Sequence, residues 1–159
     1  MNKLALIFAT FFGAGLSPKA PGTAGSFATL FLAFPVAYFY GFNGIVIAAV
    51  ISFFIGVWAT NQITKNSEEK DPSKVVIDET AGQLTSFVLV ANYLQNTLSV
   101  KALVLYLLGF AFFRLFDIVK KGPVKWADTK IKNAWGVMLD DVFAGIFAAI
   151  VLMLINSRI

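Results

Sequence analysis

Four stretches of this chain run for about 20 residues with almost no charge, and only two segments between them are strongly hydrophilic. The apolar stretches are residues 45–63, 75–94, 100–119 and 134–155, and a shorter apolar run covers 27–40. Hydrocarbon offers the backbone no hydrogen-bond partner, so segments of this kind fold as helices. The expected fold is all-α, an integral membrane helical bundle with about four spanning helices plus short re-entrant or interfacial helices. No linker or repeat divides it, so residues 1–159 read as a single membrane-embedded domain. Composition agrees: 58% of residues are hydrophobic and 14% charged, where a soluble domain has about 45–50% and about 25%.

The remaining segments punctuate these runs. Residues 1–16 are apolar with one charge, Lys3, and read as a retained first helix too short to span. Residues 17–26, SPKAPGTAGS, carry Pro18, Pro21, Gly22 and Gly25, which argue against a regular helix there. Pro35 marks a kink in 27–40, and 41–44 a turn. The two hydrophilic segments are 64–74 and 120–133.

Topology then sorts the charges. Two crossings separate the hydrophilic segments, so both lie on one side, and counting backwards places SPKAPGTAGS there too. Ten of the 13 Lys and Arg residues fall on that side, which the positive-inside rule makes cytoplasmic. All 9 acidic residues fall there as well: Glu68, Glu69, Asp71, Asp78, Glu79, Asp117, Asp128, Asp140 and Asp141. Orientation does not require that, because acids contribute little to topology. The net charge of +4 fits loops facing anionic lipid rather than nucleic acid.

Two absences narrow the chemistry. With no Cys and no His, thiolate nucleophiles, Ser-His-Asp triads and most transition-metal sites are excluded. Carboxylates, lysines, arginine and hydroxyls remain, and a metal would be a hard cation on oxygen ligands. Asp78-Glu79 and Asp140-Asp141 each stand near a helix start among apolar residues. Helix-dipole complementation would explain either pair alone, but carboxylates at membrane depth are costly and mark functional sites. Arg114 and Asp117 share a helix face, as an ion pair or as an anion clamp beside a metal ligand. SPKAPGTAGS is a plain connector or a phosphate-binding turn feeding the next helix N-terminus. Trp126 and Trp135 sit where interfacial anchors belong. Acids, bases and hydroxyls at headgroup level suggest phosphate chemistry on an amphiphilic substrate, with acids holding Mg²⁺ and bases holding phosphate oxygens.

PGTAGS at 21–26, KDPSKVVIDETAG at 70–82, FRLFDIVKKGP at 113–123 and WGVMLDDVFAG at 135–145 resemble the motifs of the phosphatidylglycerophosphatase A family in order and spacing. The resemblance implies a Mg²⁺-dependent lipid phosphatase of the bacterial cytoplasmic membrane, hydrolysing phosphatidylglycerophosphate to phosphatidylglycerol and phosphate. The family's acidic positions fall on Asp78, Glu79, Asp117, Asp140 and Asp141, with Asp128 a further recurring acid. Its basic and turn positions fall on Arg114, Lys120, Pro123, Thr23 and Ser26. In the reading that follows, Glu79, Asp117, Asp140 and Asp141 ligate Mg²⁺, with Asp78 a ligand or a neighbour that steadies one. Arg114 and Lys120 bind phosphate, and Thr23, Ser26 and Asp128 complete the substrate pocket. Lys121-Gly122 and Asn133-Ala134 depart from the family's usual proline and paired-glycine patterns and bear on loop geometry.

Metal-activated water is the expected nucleophile. An aspartyl-phosphate ranks lower, because D-x-D-x-[TV] is missing. The competing class is a small ion-coupled transporter or channel, which would put carboxylates near the midplane or on both sides. A non-catalytic scaffold would leave the acidic clustering without a reason. No obligatory protein partner is indicated.

Overall fold

The computed structural model describes residues 2–65 and 72–159, and they are helical with no strand. Glu68, Glu69 and Asp71, and with them the acidic end of the first hydrophilic segment, lie outside the described residues. Among the described residues, three helices are long and apolar enough to cross a membrane: α2 (Pro21–Thr64), α5 (Val100–Val119) and α7 (Ala134–Asn156). Among the described residues, four shorter α-helices accompany them, α1 (Lys3–Ala9), α3 (Ile77–Ser86), α4 (Ala91–Leu94) and α6 (Pro123–Lys130), with 3-10 turns at Ala14–Leu16 and Val88–Val90.

At 44 residues, α2 would be about 66 Å long if straight, twice a bilayer's hydrocarbon thickness. It is folded instead. Gly41 leaves helical geometry at φ 55°, ψ −138°, a conformation glycine adopts without steric cost. Gly25 packs against Val76, and Gly56 against neighbouring Ile77. Two positions so far apart in sequence meet adjacent residues only if the arms run antiparallel. The arms, residues 21–40 and 42–64, are therefore each of crossing length. The break falls at Gly41, inside the expected turn, and Pro35 lies within the helix.

Two expectations are corrected. Residues 75–94 do not form one spanning helix. They form α3, a 3-10 turn at Val88–Val90, and α4. The stretch still runs the length of the bundle: it leaves from Gly25, and Asn92 Oδ1 accepts a hydrogen bond from Phe42 N (3.2 Å) at the far turn. It tolerates interruption because other helices enclose it. Eight of the ten residues of α3 are buried, as are Phe87, Val90 and Ala91 around the 3-10 turn, where Leu89 alone is exposed, so most of the irregular backbone meets protein rather than lipid. SPKAPGTAGS, in turn, is helical from Pro21 onward. Proline suits the first helical position, where its missing N–H would have no partner anyway.

Beside large buried side chains such as Phe87, Phe113 and Leu105, the interior holds many small ones. Fully buried positions include Ala33, Ala37, Ala59, Ala81, Ala144 and Ala148, whereas Phe31, Phe54, Leu103 and Ile118 are exposed. Small residues inside let helices approach closely where no hydrophobic effect drives them together. Large apolar residues outside suit a lipid surround. At the N-terminus, α1 is capped by Asn2 and packs Ala5 and Ala9 against Val57 and Ala59. Its 7 residues extend only about 10 Å.

Candidate active site

The close contact of α3 with α7 builds the site. A Cβ on Gly82 would meet the Asp141 carbonyl at 2.6 Å, and one on Gly145 would strike the Gly82 carbonyl. Asp78 precedes Gly82 by four residues and Asp141 precedes Gly145 by four. On a helix, residues four apart share a face. Each helix thus offers a glycine for contact and, one turn away on that face, an acid, and the contact brings the two acids together. The repeated D-x-x-x-G, in DETAG and DVFAG, is a sequence signal that the reading of the acid pairs alone overlooks.

Asp78, Glu79 and Asp141 each place a carboxylate oxygen within 4.8 Å of the others. Around them, Arg114, Asp117, Lys120 and Asp140 line the same cavity of about 250 Å³, with Gly22 at its rim. Arg114 Nη1 lies 2.5 Å from Asp117 Oδ2 and 3.7 Å from Glu79 Oε1. Lys120 Nζ lies 2.7 Å from Asp140 Oδ2 and 2.9 Å from Asp128 Oδ1. The acids therefore fall into two groups. Asp117 and Asp140 are held by bases, and Asp78, Glu79 and Asp141 converge on each other. Burial alone would lower the Lys120 ammonium, but its hydrogen bonds to Asp140 and Asp128 outweigh that and raise its pKa. It is a fixed positive charge.

Lys120 also closes α5, in left-handed geometry at φ 42°. That turn carries its side chain back over α6 and α7. Asn133 caps α7, accepting from Trp135 N (3.0 Å) and Gly136 N (3.4 Å), and so sets the height of Asp140-Asp141. Across the cavity, α2 begins at Pro21 with no side-chain cap. A Cβ at Gly22 would strike Glu79 Oε1, so glycine there lets the helix terminus reach the acids. Uncapped N–H groups at a helix start attract phosphate.

The other expected residues stand farther back. Ser26 is buried, donates to Gly22 O (2.9 Å) and accepts from Arg114 Nη1 (3.5 Å), so it steadies the arginine. Asp128 pairs with Lys120 at the outer edge. Thr23 follows Gly22 in the first turn of α2 but does not line the cavity, and Pro123 starts α6. Ser73 lines the cavity, and nothing in the residue pattern singled it out.

The residues fit a hard divalent cation. Five carboxylates face two bases in the lining, and Glu79 Oε2 and Asp141 Oδ2 are buried with no hydrogen-bond partner. Buried negative charge in excess requires protons or a cation, and an all-oxygen donor set suits Mg²⁺.

A bundle of apolar helices with an acid-and-base pocket at one end fits the class of membrane-embedded enzymes. The model of one family, phosphatidylglycerophosphatase A, matches residues 7–156, and the chain belongs to that family. It is 33% identical to phosphatidylglycerophosphatase A of Haemophilus influenzae, over 94% of this chain and 87% of the relative. It is 32% identical to phosphatidylglycerophosphatase A of Escherichia coli, over 96% and 83%. A provisionally named phosphatidylinositol-3-phosphatase of Bacteroides thetaiotaomicron is 35% identical, over 94% and 91%. No solved structure matches the chain. The family makes this chain a phosphatase of phosphate monoesters.

Proposed function

We propose that this protein hydrolyses phosphatidylglycerophosphate to phosphatidylglycerol and inorganic phosphate, with Mg²⁺, at the cytoplasmic face of the bacterial inner membrane. The observation that carries the reading is the joining, in one pocket, of a buried carboxylate trio, two bases and an open helix N-terminus. Family membership selects the substrate.

The monoester phosphate enters against the start of α2, with Arg114 and Lys120 holding its oxygens. Both bases are already oriented, Arg114 by Asp117 and Lys120 by Asp140 and Asp128, so little order is lost on binding. Asp78, Glu79 and Asp141 would hold Mg²⁺, with Asp117 and Asp140 flanking it. When bound, the ion neutralises phosphate charge and lowers the pKa of a bound water. In the reaction water oxygen bonds to phosphorus, the bond from phosphorus to the glycerol oxygen breaks, and that oxygen takes up a proton. The apolar walls below the pocket keep the acyl chains in the bilayer while the headgroup reacts.

The test is phosphate release from phosphatidylglycerophosphate by purified protein across a Mg²⁺ titration, beside phosphatidic acid and phosphatidylinositol 3-phosphate. Release that depends on Mg²⁺ and is lost in Asp141→Asn and Glu79→Gln is expected. Undiminished release in both variants would overturn the site. For orientation, Lys132→Cys in this cysteine-free chain should react with an impermeant maleimide only from the cytoplasmic side. Reaction from the other side would reverse the topology.

A further inference from the structure

Behind the acidic pocket, on the other side of α5, lies an apolar groove of about 400 Å³. Leu115, Phe116 and Val119 of α5 form one wall, with Val124 of α6 and Phe147 of α7 facing them. Its one charged lining residue is Lys121. The groove and the pocket share α5: Arg114 and Asp117 face the pocket, while Leu115, Phe116 and Val119 face the groove. They are separated by one helix diameter, about 10–12 Å.

The turn after α5 holds this division in place. Lys120 and Gly122 both have positive φ, 42° and 57°, and Lys121 lies between them. Of the two consecutive lysines, Lys120 reaches into the pocket to Asp140, and Lys121 is exposed at the mouth of the groove. Lys120 is occupied by two carboxylates. Lys121 appears in no ion pair among the described residues.

An apolar trough with a cation at its mouth, level with a phosphate pocket, is complementary to an amphiphile carrying a second anionic group. The geometry points to a lipid subsite: the groove takes one acyl chain of the phospholipid substrate, and Lys121 pairs with the diester phosphate that joins its headgroup to its diacylglycerol. The monoester phosphate at the tip of the headgroup then reaches around the end of α5 to the acids. The inference rests on the proposed phosphatase reading and extends it. Recognition is bipartite, and a monoester without a diester phosphate or acyl chains forfeits half of it.

Two variants test this, Lys121→Glu and Val119→Trp. The first reverses the charge at the mouth. The second fills the groove from a position already 46% exposed, so the added ring meets open space rather than core. Each is assayed on dioleoyl phosphatidylglycerophosphate and on water-soluble glycerol 3-phosphate, and the ratio of kcat/KM values is read. We expect each variant to lower that ratio by about tenfold, mainly through KM for the lipid. Equal loss on both substrates, or no loss on either, would overturn the subsite. A second measurement does not need turnover: phosphatidylglycerophosphate with a diazirine at mid-acyl chain is photolysed with the protein in vesicles, and labelled peptides are mapped. Labelling on α5 near Leu115 and on α7 near Phe147, lost in Val119→Trp, supports the groove. Labelling elsewhere, or labelling indifferent to the tryptophan, overturns it. Wild-type protein inactive on both substrates would instead refute the phosphatase reading, and the photolabelling would still decide the groove.

Discussion

Gly82→Ala tests the architecture of the site with a single methyl group. The new Cβ would stand 2.6 Å from the Asp141 carbonyl oxygen and 2.5 Å from Phe113 Cε2. A carbonyl oxygen in mid-helix cannot rotate aside. To restore the 3.4 Å of ordinary contact, α3 and α7 must separate by about 0.8 Å. Overpacking of that kind costs about 1–3 kcal/mol of stability. The same separation draws Asp141 from Asp78 and Glu79, and misplacement of about 1 Å can cost about 100-fold in rate, or about 2.7 kcal/mol in barrier. The assays are Mg²⁺-dependent phosphate release and thermal unfolding in detergent. Gly145→Ala presses on the same contact from the other helix. One separation relieves both clashes, so the double variant should lose much less than the sum of the singles. A Gly82→Ala protein with wild-type rate and Tm would refute the claim that this contact positions the acids. Full additivity in the double variant would refute the claim that the two glycines make one contact.

Four shorter predictions follow from the same geometry. Asp78→Asn, Glu79→Gln and Asp141→Asn should weaken Mg²⁺ activation more than Asp117→Asn or Asp140→Asn, since only the first three converge; equal shifts in the Mg²⁺ titration would count against that grouping. Gly22→Ala should cut phosphate release by about tenfold or more with a change in Tm of only a few degrees, because the added Cβ meets the movable end of Glu79 rather than backbone; intact activity would contradict it. Lys120 has a raised pKa, with 10.5 as its ordinary value, so its stabilisation is complete below 10.5 and is lost only as pH rises through the higher folded value. The Lys120 side-chain amine, followed by NMR, should therefore still be charged at about pH 10.5, where an ordinary lysine is half titrated, and a midpoint at or below that pH would refute the assignment. Gly41→Ala, at φ 55° with Gln95 Oε1 2.6 Å from the new Cβ, should cost about 1–3 kcal/mol by unfolding in detergent.

The long apolar helices were legible because a bilayer imposes one requirement on every residue of a span. For α5 and α7, length and polarity suffice. They did not suffice for residues 75–94, which carry Asp78, Glu79, Gln83 and Asn92, are less apolar than α5 or α7, and are mostly enclosed by protein. Apolarity reports the absence of water, whereas regular helix is enforced only by lipid, and α3 with its 3-10 exit escapes that rule. The start of α2 departs from the expected break for the opposite reason. Proline and glycine are breakers inside a helix, yet Pro21 stands at its first position and Gly22 and Gly25 serve close contacts with Glu79 and Val76. Among the site residues, the acids stand out by their cost among apolar neighbours. Their division into base-held and convergent groups does not, because it depends on which face each helix turns inward.

The depth of the acids separates the two functional classes that the residues first left open. Asp78 and Glu79 lie in the first turn of α3 and Asp117 in the last turn of α5. Asp141, the deepest along its own helix, lies seven residues below Ala134, or about 10 Å. Half a hydrocarbon core is about 15 Å, and all five acids meet in one cavity close to these helix ends. A carrier must offer its ion successive partners across the membrane, and buried polar groups along this path, such as Thr29, Thr80 and Gln83, are uncharged. A lipid phosphatase has the opposite need. Its substrate stays anchored by acyl chains, so charge is useful only within reach of the headgroup, and charge placed deeper would cost stability without touching substrate. The pocket's depth and its net acidity answer that need together.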